Sequence, residues 1–207
     1  MAIELKWLGH SCFVVECQGY RILLDPFAPG SVPGFRDVRE TVDQVLCSHE
    51  HHDHNYRAGA ILRQNGPENP FTITPLESFH DDCQGAKRGP NTIHLLEAEG
   101  LKVAHMGDVG QMPSPEVLER LKGLDAMMIP VGGFYTVGPQ EAKAIADQVE
   151  AKVVIPMHYR SDNFGFDVLG PVEDYLDLDS HWMRYDTDTL EIHQNMRHSV
   201  AVLTYPS

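Results

Sequence analysis

The chain has 207 residues, 42% of them hydrophobic and 22% charged, with 16 Lys plus Arg against 30 Asp plus Glu for a formal net charge of −14. That length suits one domain, residues 1–207, with a substantial core, and no Gly/Ser-rich linker, repeat or charge block divides it. The acidic balance repels polyanions and so disfavours nucleic-acid binding, and no apolar run approaches the roughly 20 residues that a membrane span needs.

From the amino terminus, short strands are expected at 5–8, 12–16 and 21–24, with Gln18-Gly-Tyr20 as a hairpin turn, so the chain opens as a β-meander. Met1 to Lys6 lacks the basic start of a signal peptide, which leads to the expectation of a soluble, cytoplasmic protein. Cys12, Cys17, Cys47 and Cys83 form no Cys-X-X-Cys pair and are expected as reduced thiols. A strand at 44–47 then leads into Ser48-His-Glu-His-His-Asp-His54. Core packing gives no reason to crowd such side chains. In an extended turn His49 and His51 would point one way while Asp53 and His54 come round from the other, which suits two adjacent cations better than one. A solvated histidine-rich loop is the bland alternative.

A short helix at 56–63 should follow and set its positive N-terminal dipole beside the histidines. Further strands are expected at 71–74, 92–97, 101–105, 126–129, 153–155 and 199–204, with Glu97-Ala-Glu-Gly100 as a second hairpin turn. Helices should begin at Ser114-Pro115, Gly138-Pro139 and Gly170-Pro171, because proline belongs at the first helical position. Strands flanked by helices in this order fit an α/β (α+β) fold, a four-layer αββα sandwich. Three lone ligand-type residues each follow a strand: His80, Asp108 and His158. Sheet proteins carry their site residues on loops at strand ends, so these three point to one site shared with the histidine run.

The pattern His49-X-His51-X-Asp53-His54, then His80, Asp108 and His158, resembles the metallo-β-lactamase-fold hydrolase superfamily across nearly the whole chain. Gly9-His-Ser-Cys12, Leu24-Asp-Pro-Phe27, His105-Met-Gly-Asp108 and Ile155-Pro-Met-His-Tyr159 are similar to the branch that includes L-ascorbate-6-phosphate lactonase and uncharacterised Zn-dependent hydrolases. The resemblance implies that His49, His51 and His80 bind a first metal, that Asp53, His54 and His158 bind a second, and that Asp108 bridges them. It also implies a hydroxide shared by two divalent ions about 3.5 to 4 Å apart, which attacks a small ester, lactone or phosphoester. Asp53 would shuttle the proton to the leaving group. Imidazole and carboxylate donors suit Zn²⁺ first, with Mn²⁺, Ni²⁺ or Fe²⁺ also accepted.

Around this set, Asp25 is the candidate carboxylate for orienting a ligand histidine through its other ring nitrogen. His10, included in the branch resemblance, is a candidate donor behind the ligands or a structural histidine. Lys87, Arg88 and Arg160 follow ligands in sequence and are candidate anchors for a substrate anion, or else solvated surface charges. Phe134, Tyr135 and Thr136 are candidates for a cavity wall, and the aperiodic segment 160–170 is either a loop over the site or a surface connection. His52, His94, His105, His181, His193 and His198 read as structural or exposed. The expected partner is a small molecule, not nucleic acid or membrane, and a homo-oligomer is compatible with the sequence. The competing readings are a phosphodiesterase or nuclease of the same fold, and a non-catalytic binding protein that kept it.

Overall fold

The computed structural model describes residues 2–206. β1 (Ile3–Gly9) buries Ile3, Leu5 and Trp7 on one face, the period-two pattern of a strand with one side on the core. β2 (Cys12–Cys17) and β3 (Tyr20–Leu24) complete the expected meander. Gln18 and Gly19 turn the second hairpin with φ of 52° and 79°, the two positive values of a turn that matches strand twist. β5 (Gln44–Leu46) joins β3 in parallel, and β13 (Thr189–Ile192) joins β1 antiparallel. The resulting sheet has the order β13-β1-β2-β3-β5.

The second sheet starts with antiparallel hairpins through β7 (Thr72–Phe79), β8 (Pro90–Ala98) and β9 (Leu101–His105). It continues in parallel through β10 (Ala126–Pro130), β11 (Val153–Met157), β14 (Ser199–Val202) and the edge strand β12 (Trp182–Arg184), in the order β12-β14-β11-β10-β9-β8-β7. Parallel pairing needs crossovers, and these are α1 (Pro115–Leu121) and α2 (Pro139–Gln148). Each begins at its expected proline: Ser114 Oγ accepts from Val117 N–H at 3.3 Å, and Gly138 N–H donates to Glu141 Oε2 at 3.2 Å. β10 and β11 are buried at every position, as strands covered on both faces must be.

Leu5, Phe13, Val15, Ile22 and Leu24 of the first sheet and Leu95, Val103, Met127 and Ile155 of the second belong to one buried cluster. Each such side chain contributes about 1.5–3 kcal/mol of burial. The opposite face of the meander is covered too: Cys12, Val14 and Leu23 pack against Phe27, Val32, Val38 and Val42. The layer over this sheet is therefore the segment 26–39 with the short parallel ladder of β4 (Glu40–Val42) and β6 (Ala60–Leu62), and it contains no long helix.

That ladder corrects the helix expected at 56–63. Arg57–Gly59 make a single 3-10 turn and the chain then becomes β6, paired to β4. Gly59 disfavours a helix interior, and a side chain there would strike the Val38 carbonyl. This segment therefore sets no helix dipole beside the histidines. The expected helix after Gly170-Pro171 is one turn, α3 (Glu173–Leu176), and the strand expected to end at 74 runs on to Phe79. The short strands β4, β6, β12 and β13 carry too few residues for a period and are not legible in the sequence. All four cysteines are free thiols. Among the described residues no helix is long and apolar enough to cross a membrane.

Candidate metal centre

Chain ends of both sheets converge on one place: His10 follows β1, Asp25 follows β3, the 48–54 run follows β5, His80 follows β7, Asp108 follows β9, and His158 follows β11. Between His51 and Asn55 the run is a tight turn, with His54 and Asn55 N–H both donating to His51 O at 3.0 Å, where an extended turn was expected. The turn still divides the donors as the spacing suggested. His49, His51 and His80 form one group, and His10, Asp53, His54 and His158 form another, each with donor atoms within 4.8 Å of one another. Asp108 stands between them. Its Oδ2 lies 3.2 Å from Nε2 of His54, 3.2 Å from that of His158, 3.4 Å from that of His80 and 4.0 Å from that of His49.

Asp25, expected to orient one ligand histidine, hydrogen-bonds His54 and reaches His49 through Ser48. Its Oδ2 accepts from His54 Nδ1 at 2.9 Å and from the Ser48 hydroxyl at 2.5 Å, while Oδ1 accepts from Ser48 N–H at 2.6 Å. Ser48 Oγ in turn lies 2.9 Å from His49 Nδ1. A hydroxyl whose proton is given to Asp25 can only accept from that nitrogen, so Nδ1 carries a hydrogen in both rings and both Nε2 atoms face the centre. Burial, then the neighbouring His54, pushes His49 down to about 3. Burial opposes charge on His54, but Asp108 and Asp25 outweigh it and hold that ring above its usual range. Burial also opposes ionisation of Asp108, yet His158 and His54 keep it well below the carboxylate range.

Sequence reading missed Asn91. Its Oδ1 accepts from Asp108 N–H at 2.9 Å, and its Nδ2 donates to Met106 O at 2.9 Å and Ser78 Oγ at 2.7 Å, which pins the loop that carries Asp108. Gly107, at φ 56°, lets that loop lie against Ser48 and Asn91, where a Cβ would overlap both. His105, expected as structural, donates from Nε2 to Ser11 O at 2.8 Å and so ties the His10 turn to the same loop.

A cavity of about 440 Å³ opens over the centre, with His51, Asp53, His80, Asp108 and His158 on its floor. Arg88, Tyr135 and Phe166 form its wall, together with Ser31 and His52, neither of which the sequence signalled. Of the three candidate anchors only Arg88 reaches it, held 5.4 Å from the Tyr135 ring centroid. Its loop is folded by buried Asp81, whose carboxylate accepts from the N–H groups of Cys83, Gly85, Lys87 and Arg88 at 2.7 to 2.9 Å. Lys87 is a correction: it pairs with Asp82 at 2.9 Å on the exposed side of that loop. Arg160 is another, since its Nε donates to Leu169 O at 2.6 Å and staples the 160–170 segment to itself. That segment is a cavity wall, pinned by Gly165 N–H to Pro33 O at 3.0 Å and by Gly170 N–H to Gly132 O at 2.8 Å. Phe134 and Thr136 lie outside the cavity, beside Tyr135.

The donor set passes a simple test for metal. Nε2 of His49, His54 and His158 and Oδ1 of Asp108 are buried and make no hydrogen bond. Buried polar atoms are nearly always partnered, and so many unpartnered ones at a single point fit cations. Imidazole nitrogens with two carboxylates are the donor chemistry of Zn²⁺ and its divalent neighbours.

Residues 4–158 match the family model described as "Beta-lactamase superfamily domain". A putative Zn-dependent hydrolase of the metallo-β-lactamase superfamily from Thermotoga maritima superposes with a TM-score of 0.77 and 35% identity, covering 97% of this chain and 98% of that one. A UPF0173 metal-dependent hydrolase from Methanoculleus marisnigri is 31% identical over 189 residues, 76% of this chain and 81% of the relative. One from Caldivirga maquilingensis is 27% identical over 191 residues, 76% of this chain and 82% of the relative.

Proposed function

The chain belongs to the beta-lactamase superfamily, and from that premise we propose that it is a metal-dependent hydrolase with two divalent cations, Zn²⁺ first among them. His49, His51 and His80 would hold one, Asp53, His54 and His158 the other, and Asp108 would be shared. The observation that carries this reading is Asp108 Oδ2, which has two imidazoles of each group within 4.0 Å, the place of a ligand common to two ions. When bound, such ions polarise a carbonyl or phosphoryl group and lower the pKa of water towards about 7.

The chain's own groups supply the rest. Burial opposes charge on Asp53, but His10 and His54 hold its carboxyl below the usual range, so it meets substrate as an acceptor. Its side chain lines the cavity, where the carboxylate can take the proton of the attacking water and return it to the leaving oxygen. Arg88 makes no carboxylate ion pair among the described residues, so it is free to bind a substrate anion, while Tyr135 and Phe166 cover an apolar body. This supports a small ester, lactone or phosphoester with a single anionic group. A net charge of −14 argues against RNA. The test is a panel of lactones, esters, phosphoesters and single-stranded RNA, offered to metal-loaded protein. Metal-dependent turnover of a small substrate with intact RNA is expected; RNA cleavage that survives removal of contaminating nuclease would contradict the reading.

A further inference from the structure

His10 lies outside the seven residues assigned to metal, yet its ring is fully buried and neither Nδ1 nor Nε2 has a hydrogen-bond partner. An ordinary structural histidine would use at least one of them. The backbone holds the ring where it is: His10 sits at φ 51°, and its carbonyl accepts from Trp7 Nε1 at 3.0 Å and from His158 N–H at 3.4 Å. The ring centroid lies 4.1 Å from that of His158 and 5.3 Å from that of His54. His10 is not part of the cavity lining, so substrate does not account for its free nitrogens.

The spacing of donor atoms does. His10 Nε2 is 3.4 Å from Asp53 Oδ2, and His54 Nε2 is 3.6 Å from that same oxygen and 3.2 Å from Asp108 Oδ2. Atoms bound at about 2.1 Å to one cation stand roughly 3.0 to 3.5 Å apart, so His10 Nε2 stands at ligand spacing from Asp53 Oδ2, in a group whose donor atoms all lie within 4.8 Å of one another.

We propose that His10 Nε2 is an additional ligand of the cation held by Asp53, His54 and His158. This rests on the metal-centre reading above and makes the two positions unequal. The His10 side receives five protein atoms, counting Asp108, and is the better-saturated, tighter position. The side of His49, His51 and His80 receives four, so that cation keeps more room for substrate.

The deciding measurement is nitrogen-15 NMR of wild-type protein with labelled histidines, loaded with cadmium-113. A cadmium coupling at His10 Nε2, alongside those of His54 and His158, is expected. A proton on His10 Nε2 with no cadmium coupling would overturn the proposal and make His10 a hydrogen-bond donor to Asp53. As a second measurement, His10→Phe keeps the buried volume. It should leave the metal-free fold unchanged by circular dichroism and weaken one of the two cations about tenfold or more in chelator competition. Unchanged affinity for both would equally overturn it. If wild-type protein takes a single ion, the two-cation reading fails, and the coupling at His10 still decides this proposal by itself.

Discussion

Ser48 has one hydroxyl proton, and its delivery to Asp25 orients the rings of His49 and His54 through a single carboxylate. Asp25→Asn should therefore weaken metal binding by about 10- to 100-fold, because His49 and His54 both lose their orienting acceptor. Metal titration checks this, and affinity within twofold of wild type would contradict it. Asp108→Ala and Arg88→Met should differ in kind. Loss of the shared carboxylate should lower metal content and kcat together, whereas loss of an anchor that binds ground and transition states alike should raise KM for an anionic substrate with kcat nearly unchanged. The metal-type side chains that the fold brings together were legible in the sequence because their chemistry is specific to a few residue types. Asn91 was not, since an asparagine on a strand says nothing about the backbone amide it will meet. Lys87, Arg88 and Arg160 looked equivalent in sequence, and only the Asp81 turn and the Leu169 carbonyl separate them.

At the scale of elements, the site is a set of strand ends held in register. Gly107 is the tightest point, because the Asp108 loop can rest on Ser48 and Asn91 only without a Cβ. Gly107→Ala combines overlap with a positive φ, so about 1–3 kcal/mol of stability should be lost. Its metal affinity should fall as well, as Asp108 is pushed off its position. Chemical denaturation beside metal titration reads both; a variant unchanged in the two would show that the loop does not need this contact. β1 was legible from its alternation, and the two long helices from Pro115 and Pro139. The 56–63 segment misled because its alanines and leucine suit a helix locally, while Gly59 and the partner β4, distant in sequence, draw it into a ladder.

Across the whole molecule, the interior around the site is rich in histidines kept neutral by burial. His94 and His105 are lowered chiefly by desolvation, and His10 and His49 are lowered to about 4 and about 3 by burial first. Below an unfolded value of about 6.5 the unfolded chain binds protons that the folded chain refuses, so this stability is whole above 6.5 and is lost as pH falls towards the folded values. His54, whose value is raised, contributes in the opposite sense, on the alkaline side. The melting temperature of metal-free protein should accordingly drop between pH 7 and pH 5, and a flat profile would contradict the assigned protonation.

The central claim is a two-cation centre about Asp108, and elemental analysis of the metal-loaded, desalted wild-type protein tests it most directly. About two divalent ions per chain are expected, falling to one or fewer in Asp108→Ala. One ion or fewer per wild-type chain, after loading with Zn²⁺, Mn²⁺ and Ni²⁺ in turn, would contradict the account.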